Sequence, residues 1–339
     1  MLTEYKNIFV VLLALIGGMS LVSCVDENDY EDTSSGNFEA LWTVMDEHYC
    51  FFDEKKQELG VDWNEVHTRY ASMVKGTDNE QLFEVLARMI GELKDGHVNL
   101  YSGFDMGRNW SWKEDYPSNF SEEIYDSYIG TDYRISAGMA YRILDDNIGY
   151  MRVASFGSEP GNGNLDEILY HFIACRSLII DIRDNGGGLI SAAEKLASRF
   201  INEDTMVGYM QHKTGKGHND FSKREKQILK PSQNIRWQKP VFVLTNRGVF
   251  SAANEFTKYM KEAPLATIIG DKTGGGAGMP FSSELPNGWG VRFSACPMFD
   301  KDGKSTENGI EPDIYCPLTD EDHAKRIDSI IEKARSLTR

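Results

Sequence analysis

Ser251 sits where a chain can place a hydroxyl at the mouth of a helix. Val241 to Thr245 is apolar and β-branched, Asn246 to Phe250 contains a glycine turn, and from Ala252 the pattern is helical. Strand, turn and helix in that order put Ser251 at the first helical turn. Unpaired N–H groups there favour developing negative charge, which suits a serine attacking a carbonyl. A serine in that place is also a common helix cap, and this stretch alone leaves both readings open. A second segment, Asp181-Ile182-Arg183-Asp184-Asn185-Gly186-Gly187-Gly188, leaves a strand and enters a helix. Consecutive glycines let backbone N–H groups converge on an anion. This fits an oxyanion hole or, with Ser191 in place of the third glycine, a degraded dinucleotide-binding GxGxxG; no Walker phosphate loop occurs. His97 follows Lys94-Asp95-Gly96, a turn signal that can aim a side chain, although a lone loop histidine is commonly structural or solvated.

These residues need a frame. The chain has 339 residues, 41% of them hydrophobic, enough for one large or two modest domains. Its formal net charge of -16 argues against a nucleic-acid partner. Residues 37–100 read as an N-terminal helical subdomain. Asp62-Trp63-Asn64-Glu65 and Asp78-Asn79-Glu80-Gln81 suit capping boxes, and Leu82, Phe83, Val85, Leu86, Met89, Ile90 and Leu93 fall at helical spacing. Residues 101–146 show weak periodicity and are expected to connect and decorate. From Asn147 to the end, strands alternate with helices: strands at 148–153, 177–182, 241–245, 266–270 and 290–293, helices at 165–172, 192–201 and 321–334. The uninterrupted apolar run at 177–182 is of the kind buried on both faces, so an α/β core is expected.

The N-terminus is not fold material. Lys6 and an apolar run from Ile8 to Val22 suit a signal peptide over residues 1–23, and Leu21-Val22-Ser23-Cys24 resembles a bacterial lipoprotein processing site. That resemblance implies lipid attachment at Cys24 and an exported, membrane-anchored protein of the cell envelope, the outer membrane being one option. Residues 24–36, acidic and small, read as a flexible tether. Cys50, Cys175, Cys296 and Cys316 have no CxxC spacing, and any pairing among them is unreadable. The histidines form neither HExxH nor a zinc-type cluster, so no metal and no cofactor is expected.

Four ordered segments carry a wider resemblance: Asp181 to Gly188, Ser251-Ala252-Ala253-Asn254-Glu255, Gly270-Asp271-Lys272-Thr273-Gly274-Gly275-Gly276, and Gly309-Ile310-Glu311-Pro312-Asp313-Ile314. Together they resemble peptidase family S41, the C-terminal (tail-specific) processing and tricorn core proteases. The helical segment ending in Asp95-Gly96-His97 resembles the N-terminal part of tricorn-like members. The resemblance implies a crotonase/ClpP-like α/β core and hydrolysis of peptide or protein substrates through an acyl-enzyme. Ser251 matches the nucleophile and His97 the tricorn-type base. The N–H groups of Ala252 and Gly187 match the oxyanion hole, with Gly186, Gly188 and Glu255 in support. Tail-specific members carry a catalytic lysine where Gly276 stands here, and Lys272 is not in that register. A serine without a base is a poor nucleophile, so His97 must serve. Glu307, just before Gly309, matches the carboxylate that orients the histidine, with Glu311 as the alternative. A PDZ-like insert is not expected. The rival reading is a catalytically inactive peptide- or ligand-binding lipoprotein on the same fold; oligomeric state is not readable. For the anchor, radiolabelled palmitate should enter the wild-type chain and not Cys24→Ala, and equal labelling of both would remove the lipoprotein reading.

Overall fold

The computed structural model describes residues 30–338. The expected signal peptide, Cys24 and residues 24–29 of the tether lie outside the described residues. Four helices open the described chain: α1 (Ser34–His48), α2 (Phe52–Leu59), α3 (Trp63–Tyr70) and α4 (Asn79–Gly91). Helix α1 starts inside the stretch read as tether, because Thr33 caps it by accepting from the Gly36 N–H at 3.0 Å. Asp62 caps α3, and Asp78 with Gln81 closes a reciprocal capping box on α4. The apolar stripe of α4 packs against Phe38, Leu41 and Met45 of α1 and against Val291 and Phe293.

Those last two residues belong to β12 (Gly290–Phe299), the centre of a six-stranded sheet. Its other strands are β1 (Asn99–Tyr101), β2 (Met106–Gly107), β7 (Thr205–Met210), β8 (Glu225–Leu229) and β11 (Gly278–Glu284). Strand β1 pairs antiparallel with β12, placing Asn99 opposite Arg292. The N-terminal helices therefore share a core and a sheet with the C-terminal half.

The second sheet has seven strands in the order β13-β10-β9-β6-β5-β4-β3. Five are parallel: β5 (Gly149–Arg152), β6 (Leu178–Asp181), β9 (Val241–Thr245), β10 (Ala266–Gly270) and β13 (Ile314–Tyr315). Strands β3 (Arg134–Ser136) and β4 (Met139–Ile143) extend it as an antiparallel hairpin. They lie in the stretch read as connecting. The loop between them is two residues, Ala137 and Gly138, both at positive φ (48° and 78°). Such turns are signalled by Asn-Gly or Asp-Gly, and alanine at the first position hides this one.

Alternation along β6 sends Leu178 and Ile180 to one face and Ile179 to the other. Two short helices, α5 (Ser111–Glu114) and α6 (Glu122–Ile129), precede the sheet in the chain. The Leu178 face is covered by α7 (Asn162–His171), α8 (Ile190–Ala197) and α9 (Ala252–Lys261). The C-terminal helix is divided into α10 (Asp320–Ala324) and α11 (Ser329–Ser336), with Arg326 at φ 57° between them. Ile330 and Ile331 of α11 cover the Ile179 face.

The break has a cause in Asp328. Its Oδ1 accepts from the N–H groups of Ile330 and Ile331 at 3.0 Å each, and its Oδ2 accepts from Arg183 at 2.9 Å. Arg183 also forks onto Asp181 at 2.9 and 2.6 Å. All three residues are buried. Removing Asp328 strips a buried partner from Arg183 and leaves the Ile330 and Ile331 N–H groups without their cap, so Asp328→Ala should cost about 3–5 kcal/mol of unfolding free energy. Urea titration followed by circular dichroism measures this; a loss under about 1 kcal/mol, the usual worth of an exposed pair, would contradict it.

Candidate active site

Three of the four sequence segments leave the carboxyl ends of β6, β9 and β10, where open parallel sheets place their ligand sites, and the fourth joins them on its way into β13. Backbone and side-chain bonds join them. The Asn246 carboxamide accepts from the Asp184 and Gly248 N–H groups (2.9 and 3.0 Å) and donates to Asp184 Oδ1 (2.8 Å). The Phe250 N–H donates to Asn185 O at 3.0 Å, the Ser251 N–H to Gly275 O at 2.9 Å, and the Gly276 N–H to Glu307 O at 2.9 Å. The glycine loop, the serine turn and the two later segments thus form one stack.

Ser251 is the N-cap of α9, but its side chain makes no capping bond, and its backbone lies at φ 55°, ψ −125°. A non-glycine residue in that region is strained, and such strain persists only where the surroundings impose it. Here Ser251 is fixed by Gly275 before it and by the Glu255 N–H, which donates to its carbonyl at 3.0 Å. The hydroxyl is thereby spared from capping. Ala252 is the first helical residue, so its N–H has no intrahelical acceptor.

Gly187 lies against this turn. A Cβ built on it would come within 2.8 Å of Ser251 Cβ and 2.9 Å of the Ala252 nitrogen, and its φ is +100°. Only glycine leaves the Ala252 N–H open. The Gly187 N–H itself is donated to Asn185 Oδ1 at 2.9 Å. Among the described residues, the Gly188 N–H has no such partner. Ser251, His97 and Gly186 to Gly188 line one cavity of about 600 Å³.

His97 is buried, and neither ring nitrogen has a hydrogen-bond partner among the described residues. Its ring lies 4.7 Å from that of Phe250, centroid to centroid. Burial pushes its pKa down to about 4; the nearby Asp95 opposes this and the Arg292 guanidinium adds to it. The imidazole is therefore neutral at ordinary pH, the form a general base needs. Asp95 holds the turn: its Oδ1 accepts from the His97 N–H (2.7 Å), its Oδ2 from Tyr49 Oη (3.0 Å) and Ser294 Oγ (2.8 Å).

Glu307 is also buried, but its carboxylate accepts from the Ala277 N–H at 2.9 Å and lies 3.7 Å from Lys55 Nζ. It makes no bond to the His97 ring. Burial and the Asp95 charge push the Glu307 carboxyl up, against Lys55 and the Ala277 N–H. Glu311 is exposed and pairs with Lys272 at 3.2 Å, and neither lines the Ser251 cavity. Glu255 is fully buried and pairs with Lys258 at 2.6 Å. Cys50, Cys175, Cys296 and Cys316 are all unpaired thiols.

At Gly276 (φ +80°) a Cβ would lie 2.5 Å from the Phe250 ring. That ring stacks on Trp112 (centroids 4.2 Å apart), so no side chain fits there without displacing both. Phe250, Trp112, Asp95 and Arg292 were not picked out by sequence patterns. Asp95 had one available signal, an Asp two residues before an N–H it could accept from, as in an Asx-turn.

The profile of the tricorn protease C1 domain matches residues 30–91, and that of peptidase family S41 matches residues 147–316, half of the chain. A "Probable CtpA-like serine protease" of Staphylococcus epidermidis is 30% identical over 171 residues, 50% of this chain and 33% of that protein. The carboxy-terminal processing protease CtpA of Bacillus subtilis is 26% identical over 178 residues, 52% of this chain and 36% of that protein. The chain thus spans about a third of the length of these curated relatives. A solved structure of a candidate peptidase from Parabacteroides merdae is 51% identical, with a TM-score of 0.86 over 91% of this chain and 97% of that one. On the strength of the family match, with its four segments gathered around Ser251, the chain belongs to peptidase family S41.

Proposed function

We propose that the chain is a serine peptidase that cleaves peptide or protein substrates through an acyl-enzyme, using Ser251 and His97. The observation that carries this reading is a single cavity holding a strained serine freed from capping, a neutral unpartnered histidine and a glycine loop. Ser251 Oγ attacks the scissile carbonyl as His97 takes its proton. The resulting oxyanion is met by the Ala252 N–H and by a glycine N–H, for which Gly188 is preferred to Gly187 because its donor is unengaged. His97 returns the proton to the leaving amine as the C–N bond breaks, and a water repeats the sequence on the ester.

Asp95 positions His97 through its backbone. Glu307 acts on the base at one remove, by holding Ala277 and Lys55 beside the Asp95 cluster; it is preferred to Glu311, which is exposed. Lys272 has no part in proton transfer. A lipid anchor at Cys24 and a place in the cell envelope belong to the same proposal.

Residues that act as one unit are non-additive. Ser251→Ala, His97→Ala and the double variant should therefore fall to a similar kcat/KM on a peptide substrate, with general-base help alone worth on the order of 10²–10⁴. Glu307→Gln should lose less, and Lys272→Ala should keep most activity. A fluorophosphonate probe should label the wild type and not Ser251→Ala. A folded His97→Ala with near wild-type turnover would reject the mechanism, and an unlabelled wild type would favour the inactive rival.

The pH profile gives a separate check. The free enzyme needs His97 neutral, and its pKa lies near 4 rather than 6.5. The acid limb of kcat/KM should thus fall as pH drops through about 4, with activity flat from pH 5 to 7. Tryptophan emission recorded in parallel separates this limb from unfolding. A limb centred near 6.5 would mean a solvated histidine.

A further inference from the structure

We infer that Arg292 binds a carboxylate of the peptide substrate, an inference that rests on the peptidase reading. Arg292 stands on β12 opposite Asn99 of β1, and both residues line the cavity that holds Ser251 and His97. It is half-buried, yet among the described residues its guanidinium has neither a hydrogen bond nor an ion pair. A chain with a formal net charge of -16 has acidic groups to spare, and other half-buried arginines here use them, such as Arg335 with Asp146 at 2.8 Å.

The cavity wall adds a second cation, Lys113, whose ammonium sits 4.7 Å from the Trp110 ring centroid. The carboxylate on that wall, Asp184, is engaged by the Asn246 amide at 2.8 Å. The site is therefore locally cationic within an anionic protein. Arg292, His97 and Ser251 line this one cavity, so a group paired with Arg292 sits in the cleft where the proposed reaction occurs. A planar fork with free donors in a partly desolvated cleft selects a carboxylate, which it can hold bidentately. That carboxylate is either an Asp or Glu side chain of the substrate or the substrate's C-terminus.

The test uses binding to the full-length Ser251→Ala chain, which does not depend on turnover. Short fluorescein-labelled, Ala-rich peptides are compared in pairs by anisotropy. One arm places Glu or Gln at each position in turn, and the other pairs a free C-terminus with an amidated one. The carboxylate member of at least one pair should bind about tenfold or more tightly, as expected for a charge-assisted bidentate contact. Which arm responds identifies the source. Adding Arg292→Gln should bring the pair to within about twofold, and Arg292→Lys should restore part of the difference. Equal binding of every pair to Ser251→Ala, or a preference that survives Arg292→Gln, overturns the inference. Fluorophosphonate labelling of the wild type keeps the two readings apart: a labelled enzyme without a carboxylate preference sinks this one alone. A preference without labelling sinks the peptidase mechanism and leaves carboxylate binding standing.

Discussion

A single buried guanidinium fixes the end of the parallel sheet. Arg183 follows β6 and has no exposed surface, a position a charge can hold only if paired and hydrogen-bonded. Asp181 supplies the fork, Asp328 a second carboxylate, the Asn119 carbonyl a further acceptor at 3.2 Å, and Phe120 a ring face 5.0 Å from its Cζ. Burial pushes the Asp181 carboxyl up, but Arg183, Arg152 and the Tyr150 hydroxyl together hold it at about 2. Two distant parts of the chain, at 119–120 and at 328, thereby converge on the residue that opens the glycine loop. The loop's shape is set from behind by charge pairing, so its N–H groups need no ligand to order them.

The histidine side of the cleft is built differently. His97 is held by its backbone, through Asp95, while its ring is left without polar partners. Tyr49 reaches this cluster from the turn after α1, Lys55 from α2, Ser294 from β12, and Glu307 from the segment before β13. A neutral ring in an apolar wall beside Phe250 is costly to protonate, which is why its pKa drops although the Asp95 carboxylate lies close by. Positioning by the backbone and tuning by burial are thus separate tasks carried by separate groups.

Local patterns made part of this legible. The apolar strand at Val241–Thr245 and the helix from Ala252 bracket Ser251 as read, because a buried parallel strand and a tight strand-to-helix turn are both written in adjacent residues. Asp62 and Asp78 cap their helices as their spacing suggests. What stayed hidden depends on distance or on an unusual residue. Asp95 meets Ser294 across 199 positions, and no periodicity connects them. The β3–β4 hairpin turns on an alanine at positive φ, and the last helix breaks at Arg326 for a cap whose second duty is an ion pair with Arg183. Motif order puts Glu307 beside His97, yet its carboxylate is spent on Ala277 and Lys55.

The surroundings of Gly276 leave no room for a lysine. The resemblance to tail-specific proteases would put a lysine there, but the Phe250 ring fills that space and leans on His97 and Trp112. Ring and lysine exclude each other, so the aromatic wall that replaces the lysine also makes the apolar surface against which an imidazole stays neutral. The histidine arrives on the segment leading into β1, whose three residues pair with β12. A boundary drawn at residue 100 between the helical subdomain and the connecting region therefore falls inside β1, a strand of the sheet that lines the candidate site. Ser251 and His97 share one cleft only while β1 remains in the sheet, which makes the packing of α1 and α4 on β12 a condition of the candidate site's geometry and not an accessory to it.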